Sequence, residues 1–370
     1  MTSHVLITGG AGFIGSHLAR DLLGAGYSVR VLDALDPQVH GGAERPSYLD
    51  PDIELLNGDV CDRDAVRRAL NGVQMVCHFA AKVGVGQSMY EMARYTEANE
   101  LGTAVLLEEM TEAGTSKLLV ASSMSIYGEG LARLGDTLVE PPPRSLGQLK
   151  DGEWEPQTAD GHILEPVPTP ETKHPSLTSV YALNKYTQER MCLIWGQAYG
   201  RDVTAMRFFN VYGPDQALSN PYTGVLAIFG ARLLNGRPPM VFEDGLQRRD
   251  FVHVRDVARA CRLALESNAA AGLAINVGSG ASRTVQDVAR TLARAMGRND
   301  VTPQITGKYR AGDIRHCVSD ITLARTLLGF EPQVKFEDGI AELVEWLKEQ
   351  IATDSVEQAT AELSRRGLVA

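Results

Sequence analysis

The sequence predicts an α/β protein, a doubly wound parallel sheet followed by a smaller C-terminal domain. Three observations predict it. Short, almost wholly apolar runs alternate with helical stretches through the first 120 residues. A glycine-rich turn, Thr8-Gly9-Gly10-Ala11-Gly12-Phe13-Ile14-Gly15, directly follows the first of those runs and opens a helix. After Asn210 the texture changes, and Pro, Gly and Asn crowd residues 213–224. Strands that are apolar all round must be covered on both faces, which is the condition of a parallel sheet with helices on each side.

Element by element, Val5–Thr8 reads as a buried strand and Phe13–Gly24 as a helix. Strands follow at Ser28–Asp33, Ile53–Asn57 and Gln74–Phe79, with a helix at Asp62–Asn71. Ala93–Ala113 reads as one long helix and Lys117–Ser122 as the fifth strand. Between Gly128 and Pro175 the pattern breaks. Pro141-Pro142-Pro143 and Pro166-Val167-Pro168-Thr169-Pro170 disfavour regular structure, so a lid or an irregular insertion is expected. Helical periodicity returns at Ser179–Tyr199, and Val203–Phe208 is the sixth strand. Beyond it the sequence reads as helices Val225–Leu234, Val254–Glu266, Thr284–Met296, Ile321–Leu328 and Phe336–Gln350. The strand Ala274–Val277 is expected to return to the first sheet. Residues 1–209 thus read as one domain, 210–352 as a second, and 353–370 as a polar tail, helical or frayed.

The 370 residues are 44% apolar and 22% charged, which excludes global disorder. A net charge of −10 argues against nucleic acid as partner. No run reaches the roughly 20 apolar residues of a membrane span, and the N-terminus lacks the basic and apolar regions of a signal peptide. Five dispersed cysteines form neither a disulfide framework nor a zinc pattern. A cytoplasmic protein with no metal is expected.

The glycine turn has the context its chemistry requires. Gly9 and Gly12 allow backbone to approach a pyrophosphate, the helix N-terminus supplies N–H donors, and Gly15 lets helix and sheet pack closely. Asp33, ending the second strand, suits the ribose hydroxyls of adenosine and would repel a 2′-phosphate, so NAD is favoured over NADP. Asp59, in Gly58-Asp59-Val60, is a candidate adenine contact. Ser122-Ser123 ends the fifth strand. Tyr181 and Lys185 lie four apart on one helix face. A cation there is expected to lower the Tyr181 pKa toward working pH, so that the phenolate takes a proton from a sugar hydroxyl while hydride leaves the same carbon. Asn210, Arg249, Arg310 and Asp313 are candidate phosphate and ribose contacts, arginine being suited to two oxygens of a diphosphate.

These motifs occur in one order. Gly9-x-x-Gly12-x-x-Gly15 is followed by His78-Phe79-Ala80-Ala81, Ser122-Ser123-x-x-Ile126-Tyr127-Gly128, Tyr181-x-x-x-Lys185, Arg207-Phe208-Phe209-Asn210-Val211-Tyr212-Gly213-Pro214 and Arg249-Asp250-Phe251-Val252-His253-Val254. Over residues 3–350 the chain resembles the extended short-chain dehydrogenase/reductases of the nucleotide-sugar epimerase/dehydratase group. The resemblance implies a Rossmann-type fold, tightly held NAD and a catalytic triad of Ser123, Tyr181 and Lys185. It implies NAD contacts from Gly9, Gly12, Phe13, Ile14, Gly15, Asp33, Asp59, Val60, Phe79, Ala80, Ala81, Val83, Asn99, Ser122, Tyr181, Lys185 and Phe208. Substrate contacts are implied for Val85, Gly86, Ser123, Ser125, Asn210, Val225, Arg249, Arg310 and Asp313. A dTDP- or UDP-linked sugar is the implied substrate, and a homodimer pairing two helices per subunit into a four-helix bundle is the implied assembly.

The reaction turns on the residues after Ser123. Dehydratases of the group carry Asp-Glu there, uronic acid decarboxylases a Glu at the second position, and reductive 3,5-epimerases a Cys. This chain has Met124-Ser125, which leaves C4 epimerisation through a 4-keto sugar, needing only Tyr181 and hydride. Val83 stands where galactose-type epimerases often carry Lys. Ser219–Tyr222, Gly245-Leu246-Gln247 and Gly312–His316 resemble epimerases acting on dTDP-6-deoxyhexoses such as dTDP-L-rhamnose. Cys317 matches the position that gates sugar size. A dehydratase or decarboxylase drawing a base from the insertion (His162, Glu165 or Glu171) stays open, as does a non-catalytic NAD sensor.

Overall fold

The computed structural model describes residues 3–370 apart from 43, 221, 223, 311, 352 and 353. Seven strands form one parallel sheet: β1 (His4–Thr8), β2 (Ser28–Asp33), β3 (Glu54–Asn57), β4 (Met75–His78), β5 (Lys117–Ser123), β6 (Asp202–Phe208) and β7 (Ala274–Val277), in the order β7-β6-β5-β4-β1-β2-β3. The helices of seven or more residues are α1 (Phe13–Gly24), α2 (Arg63–Leu70), α3 (Gly102–Ala113), α4 (Val180–Tyr199), α5 (Val225–Leu234), α6 (Val254–Glu266), α7 (Val285–Ala295), α8 (Thr322–Leu328), α9 (Phe336–Lys348) and α10 (Val356–Arg365).

Side-chain alternation along the strands assigns each helix to a face. Val5 and Ile7 of β1 join Leu18 and Leu22 of α1 and Val257 and Cys261 of α6 in one buried cluster. Leu6, between them, joins Val66 of α2, Leu106 of α3 and Cys192 of α4 in the other. The order of the strands reverses between β1 and β4, and both carry their C-terminal ends to one rim. That rim, at the switch point, is where ligands of doubly wound sheets bind. Strand β7 pairs with β6 in register Ala274↔Ala205, so the chain returns to the sheet after the helices that follow Asn210. A third core, with Phe229 of α5, Leu292 of α7 and Leu343 of α9, lies beyond the rim.

Two expectations need revision. The helix expected over Ala93–Ala113 is three pieces: an α-turn at Met92–Thr96, a π-turn at Glu97–Leu101, and α3. The wider π-turn carries Asn99, whose amide holds the backbone of Lys82 at both ends; such turns cluster where a helix adapts to a local contact. The expected irregular insertion is also ordered. Ala132–Leu134 pairs antiparallel with Thr137–Val139 and with Glu165–Pro166, and Leu146–Lys150 is helical. The expected end of the second domain, residue 352, lies outside the described residues, as does Pro221 of the Ser219–Tyr222 run; the tail beyond forms α10.

Candidate active site

Two connected clefts open along the rim. The first, about 180 Å³, is lined by Gly9, Gly12, Asp33, Asp59, Val60 and Phe79–Lys82 among others. The second, about 350 Å³, runs from Gly12–Gly15 past Ser122, Ser123, Tyr181 and Lys185 to Asn210, Tyr222, Val225 and Phe251. Gly12, Phe79, Ala81 and Val83 line both.

The glycine turn is built for close approach. Gly9 has φ +69°, and a Cβ there would stand 2.6 Å from the backbone nitrogen of Ala80. A Cβ on Gly15 would meet Gly10 Cα at 2.6 Å. Helix α1 begins after Gly12 with no side-chain cap, so its first N–H groups are left for a ligand. Asp33 braces the turn: one oxygen accepts from Ala11 N (3.0 Å) and the other from Leu35 N (2.9 Å). A carboxylate has about four lone-pair sites, so capacity for ribose hydroxyls remains. The cradle fits the adenosine and pyrophosphate of NAD. His40, 3.5 Å from Asp33, also lines this cleft; sequence reading missed it because the turn at 37–40 has no recognisable motif. Phe79 and Phe208 meet edge to face, centroids 5.8 Å apart, as one wall of the larger cleft.

The triad is brought together from β5 and α4. Ser123 faces the Tyr181 phenol and acts to lower its pKa. Ser123 Oγ in turn accepts from Ser125 Oγ (3.0 Å) and Ser125 N (3.2 Å). With its lone pairs so engaged, Ser123 is left to donate toward Tyr181, which favours phenolate. The expected low Tyr181 pKa is nevertheless absent in the protein alone. Burial raises it above its ordinary value, with Ser123 opposing. Lys185 does not offset this, because its ammonium donates to Gln188 Oε1 (2.9 Å) and burial pushes its own pKa down to about 8. The Tyr181 backbone N–H donates to Ser88 Oγ (3.0 Å), fixing the start of α4 to the Val85–Ser88 turn.

The remaining candidates divide. Phe13, Ile14, Ala80, Val83, Phe208, Asn210 and Val225 line the clefts. Asn99, fully buried, clamps the Lys82 loop rather than lining either cleft. Ser122 Oγ, at the wall, donates to Glu189 Oε2 (2.7 Å), whose carboxylate is also held by Arg207. Val85, Gly86 and Ser125 line neither cleft. Arg249, Arg310 and Asp313 form a separate cluster: Arg310 pairs with Asp313 at 3.1 Å, and Arg249 donates to the carbonyls of Ile314 and Arg315. Burial opposes ionisation of Asp313, but Arg310, Arg249 and Arg144 hold its carboxyl below the usual range. Cys317 packs behind Met124 and Ile126, away from the cleft lining. Gln216, with no signature in the sequence, lines the cleft with a buried Oε1 that has no protein partner.

None of the insertion's candidate bases lines a described cleft. His162 is exposed beside Asp160, Glu165 pairs with Arg133, and Glu171 accepts from Asn276 N (2.8 Å). The insertion instead locks onto the loop at 313–316. Glu129 accepts from the backbone N–H groups of Arg315 and His316. The fully buried Arg315 is ringed by Glu155, Glu243 and Asp244.

A profile of the NAD dependent epimerase/dehydratase family matches residues 5–146 and 159–278. The chain belongs to this family. NAD is its cofactor, and its relatives are nucleotide-sugar epimerases, dehydratases and a decarboxylase. It is 35% identical over 352 residues to a dTDP-L-rhamnose 4-epimerase of Burkholderia thailandensis, covering 94% of this chain and 95% of that one. Among solved structures, the UDP-glucose 4-epimerase of Thermotoga maritima with UDP-glucose aligns with a TM-score of 0.77 and 31% identity, covering 94% and 99% of the two chains. The UDP-glucose 4-epimerase of Thermus thermophilus in complex with NAD aligns with 0.74 and 31%, covering 94% and 100%.

Proposed function

We propose that this family member is a 4-epimerase of a neutral nucleotide-diphosphate hexose, a dTDP-6-deoxyhexose of the dTDP-L-rhamnose type. One observation carries the reading. Among the described residues lining the catalytic cleft there is no Asp, Glu, His or Cys, and Lys185 is the single charged side chain. Dehydration and decarboxylation need a further acid or base, or a cation for a uronate besides the one beside Tyr181, and the cleft lining offers neither. The similarity to the Burkholderia thailandensis epimerase supports the choice of sugar.

The Gly9–Gly15 turn, Asp33, Asp59, Val60, Phe79–Ala81 and Lys185 would hold NAD, which when bound supplies hydride acceptance and return at the sugar C4. Tyr181 Oη takes the proton of the 4-hydroxyl. Ser123 Oγ donates toward the Tyr181 phenol and so favours the phenolate that takes the proton. The Lys185 ammonium stabilises the phenolate so formed. After the 4-keto sugar has turned over in the cleft, Tyr181 gives the proton back to the C4 oxygen. The net change is inversion at one carbon with no atom gained or lost.

The same reading makes residues 1–209, with β7, the NAD-binding domain and 210–352 the substrate-binding domain. Exposed Leu101, before α3, and Leu183 and Ile194, on α4, support a homodimer that pairs these helices into a four-helix bundle. Five unpaired cysteines support a reducing cytoplasm. Incubation with dTDP-L-rhamnose, UDP-glucose and UDP-N-acetylglucosamine, followed by NMR and mass spectrometry, tests the activity. A product of unchanged mass inverted at C4 is expected. Loss of water or carbon dioxide would overturn the reading.

A further inference from the structure

Segment 354–370 follows α9 in sequence and packs on the Val85–Ser88 turn, on Tyr90 and on the Tyr309–Arg310 edge. Its start is pinned, because Asp354 Oδ2 accepts from the buried Arg232 (3.3 Å) and from Arg237 (3.2 Å). Helix α10 follows. Its one buried side chain, Leu363, sits directly on the Val85–Ser88 turn: a Cβ on Gly86 would stand 3.2 Å from Leu363 Cδ1. One turn further on, the Arg366 guanidinium lies 4.3 Å from the centre of the Tyr90 ring, held there by Glu362. Tyr90 Oη is 2.6 Å from Tyr222 Oη, and Tyr222 lines the cleft.

The helix then stops in a way that aims the chain. Gly367 is left-handed at φ +71°, and the N–H groups of Gly367 and Leu368 donate back to Ser364 O (3.0 Å) and Leu363 O (2.9 Å). This pair of bonds reverses the chain. Val369 and Ala370 thereby reach Tyr309 and Arg310. Tyr309 N donates to Ala370 O (2.9 Å), Ala370 N donates to Tyr309 O (3.1 Å), and Val369 is buried. One segment thus touches two separate loops, the Val85–Ser88 turn, whose Gln87 lines the first cleft, and the Arg310–Asp313 cluster.

We propose that segment 354–370 belongs to the substrate site as its positioning strap. Leu363 and Arg366 hold the sugar end, and the Val369–Ala370 edge holds Arg310 at the diphosphate end. The strap rests on the reading of these two ends as a nucleotide-sugar site. Its physical effect is preorganisation. Two loops separated by more than 200 residues are ordered before ligand arrives, so their ordering is not charged against binding. Leu363 and Arg366 are positioning residues and carry no chemistry.

The test uses three holoenzymes: the full chain, a chain ending at Gln350, and Arg366→Ala, an exposed change that leaves the core intact. Bound NAD and Tm are measured for each, and calorimetry follows binding of dTDP, UDP, dTDP-glucose and UDP-glucose. Truncation should weaken both free nucleotide and nucleotide sugar by about tenfold, the cost of ordering roughly two side chains at binding, with NAD content unchanged. Arg366→Ala should weaken only the nucleotide sugars. Unchanged affinities in the truncated holoenzyme would overturn the strap, and equal weakening of nucleotide and nucleotide sugar by Arg366→Ala would overturn its assignment to the sugar end. A 370-residue chain that binds these ligands strap-dependently but inverts no sugar would sink the 4-epimerase reading alone. A protein that binds none of them overturns both.

Discussion

The Lys185 ammonium gives one of its three N–H bonds to Gln188 Oε1, and the orientation of that amide is fixed by a buried chain reaching β1. Gln188 Nε2 donates to Thr103 Oγ1 (2.9 Å), which also contacts His78 Nε2 (2.9 Å); His78 Nδ1 is 2.7 Å from Thr8 Oγ1. One assignment satisfies every member: Thr8 donates to Nδ1, Nε2–H donates to Thr103, and Thr103 donates to Asn99 O (2.6 Å). Gln188 therefore presents its carbonyl, and only its carbonyl, to the lysine. The other groups acting on Lys185 are Glu189 and Cys192, both on α4.

Gln188→Leu removes that acceptor and leaves the ammonium more poorly solvated. The Lys185 pKa, already about 8, should fall further. The charge that stabilises the phenolate is lost above that pKa, so the alkaline limb of kcat moves to lower pH. Gln188→Glu should move it the other way. Profiles of kcat against pH, with bound NAD measured in each variant, check both directions. An unmoved limb in both variants would show that Gln188 does not control the lysine.

Tyr181→Phe keeps the ring and removes the one hydroxyl positioned to exchange the C4 proton. General acid–base groups contribute roughly 10²–10⁴-fold, and turnover should fall by about that factor while NAD stays bound. Ser123→Ala should cost less than Tyr181→Phe, since Ser123 is not the proton's final acceptor. Single-turnover assays on protein of verified NAD content make the comparison.

What is legible in the sequence is what local pattern encodes. The strand periodicity, the glycine turn and the i, i+4 spacing of Tyr181 and Lys185 are all short-range, and the structure places each at the residues that carry the pattern. The insertion is not legible, because the partners that order it are distant: Glu129 meets backbone at Arg315, 186 positions on. Gln188 is illegible for the same reason, its neighbours coming from β4 and α3. Asn99 is expected as a cofactor contact only through the family resemblance. The π-turn that aims it at Lys82 has no sequence signature. A low Tyr181 pKa follows from a nearby cation on spacing alone, whereas burial of both groups outweighs that proximity.

Arg315 should be the residue on which the insertion depends. Its side chain is fully buried and donates to Glu155, Glu243 and Asp244. Glu155 is drawn down to about 2: burial opposes this, but bonds from His316 and Arg315 prevail. Removing one member of such a buried network leaves the rest uncompensated and costs about 3–5 kcal/mol. Arg315→Met should therefore destabilise the protein by that order in urea unfolding and open residues 128–175 to limited proteolysis. Arg133→Ala, which breaks an exposed pair with Glu165 in the same insertion, should change stability by less than about 1 kcal/mol.

His78 supplies a pH signature for the chain that ends at Lys185. It is buried, and burial together with the Lys185 charge pushes its pKa down to about 3. In the unfolded chain it titrates near the ordinary 6.5. Between these values the unfolded state binds a proton that the folded state does not, so the contribution of His78 is fully present above pH 6.5 and is lost as pH falls toward 3. One such group changes stability by about 1.4 kcal/mol per pH unit within the window. From pH 7 to pH 5 the full chain should lose about 2 kcal/mol through this residue. His78→Gln keeps a polar side chain but does not titrate. It should lower stability at pH 7, yet its loss between pH 7 and pH 5 should be smaller than that of the unaltered protein by about the same 2 kcal/mol. Urea unfolding at the two pH values measures the difference; equal slopes would mean that the histidine is charged, or solvated, within the folded chain.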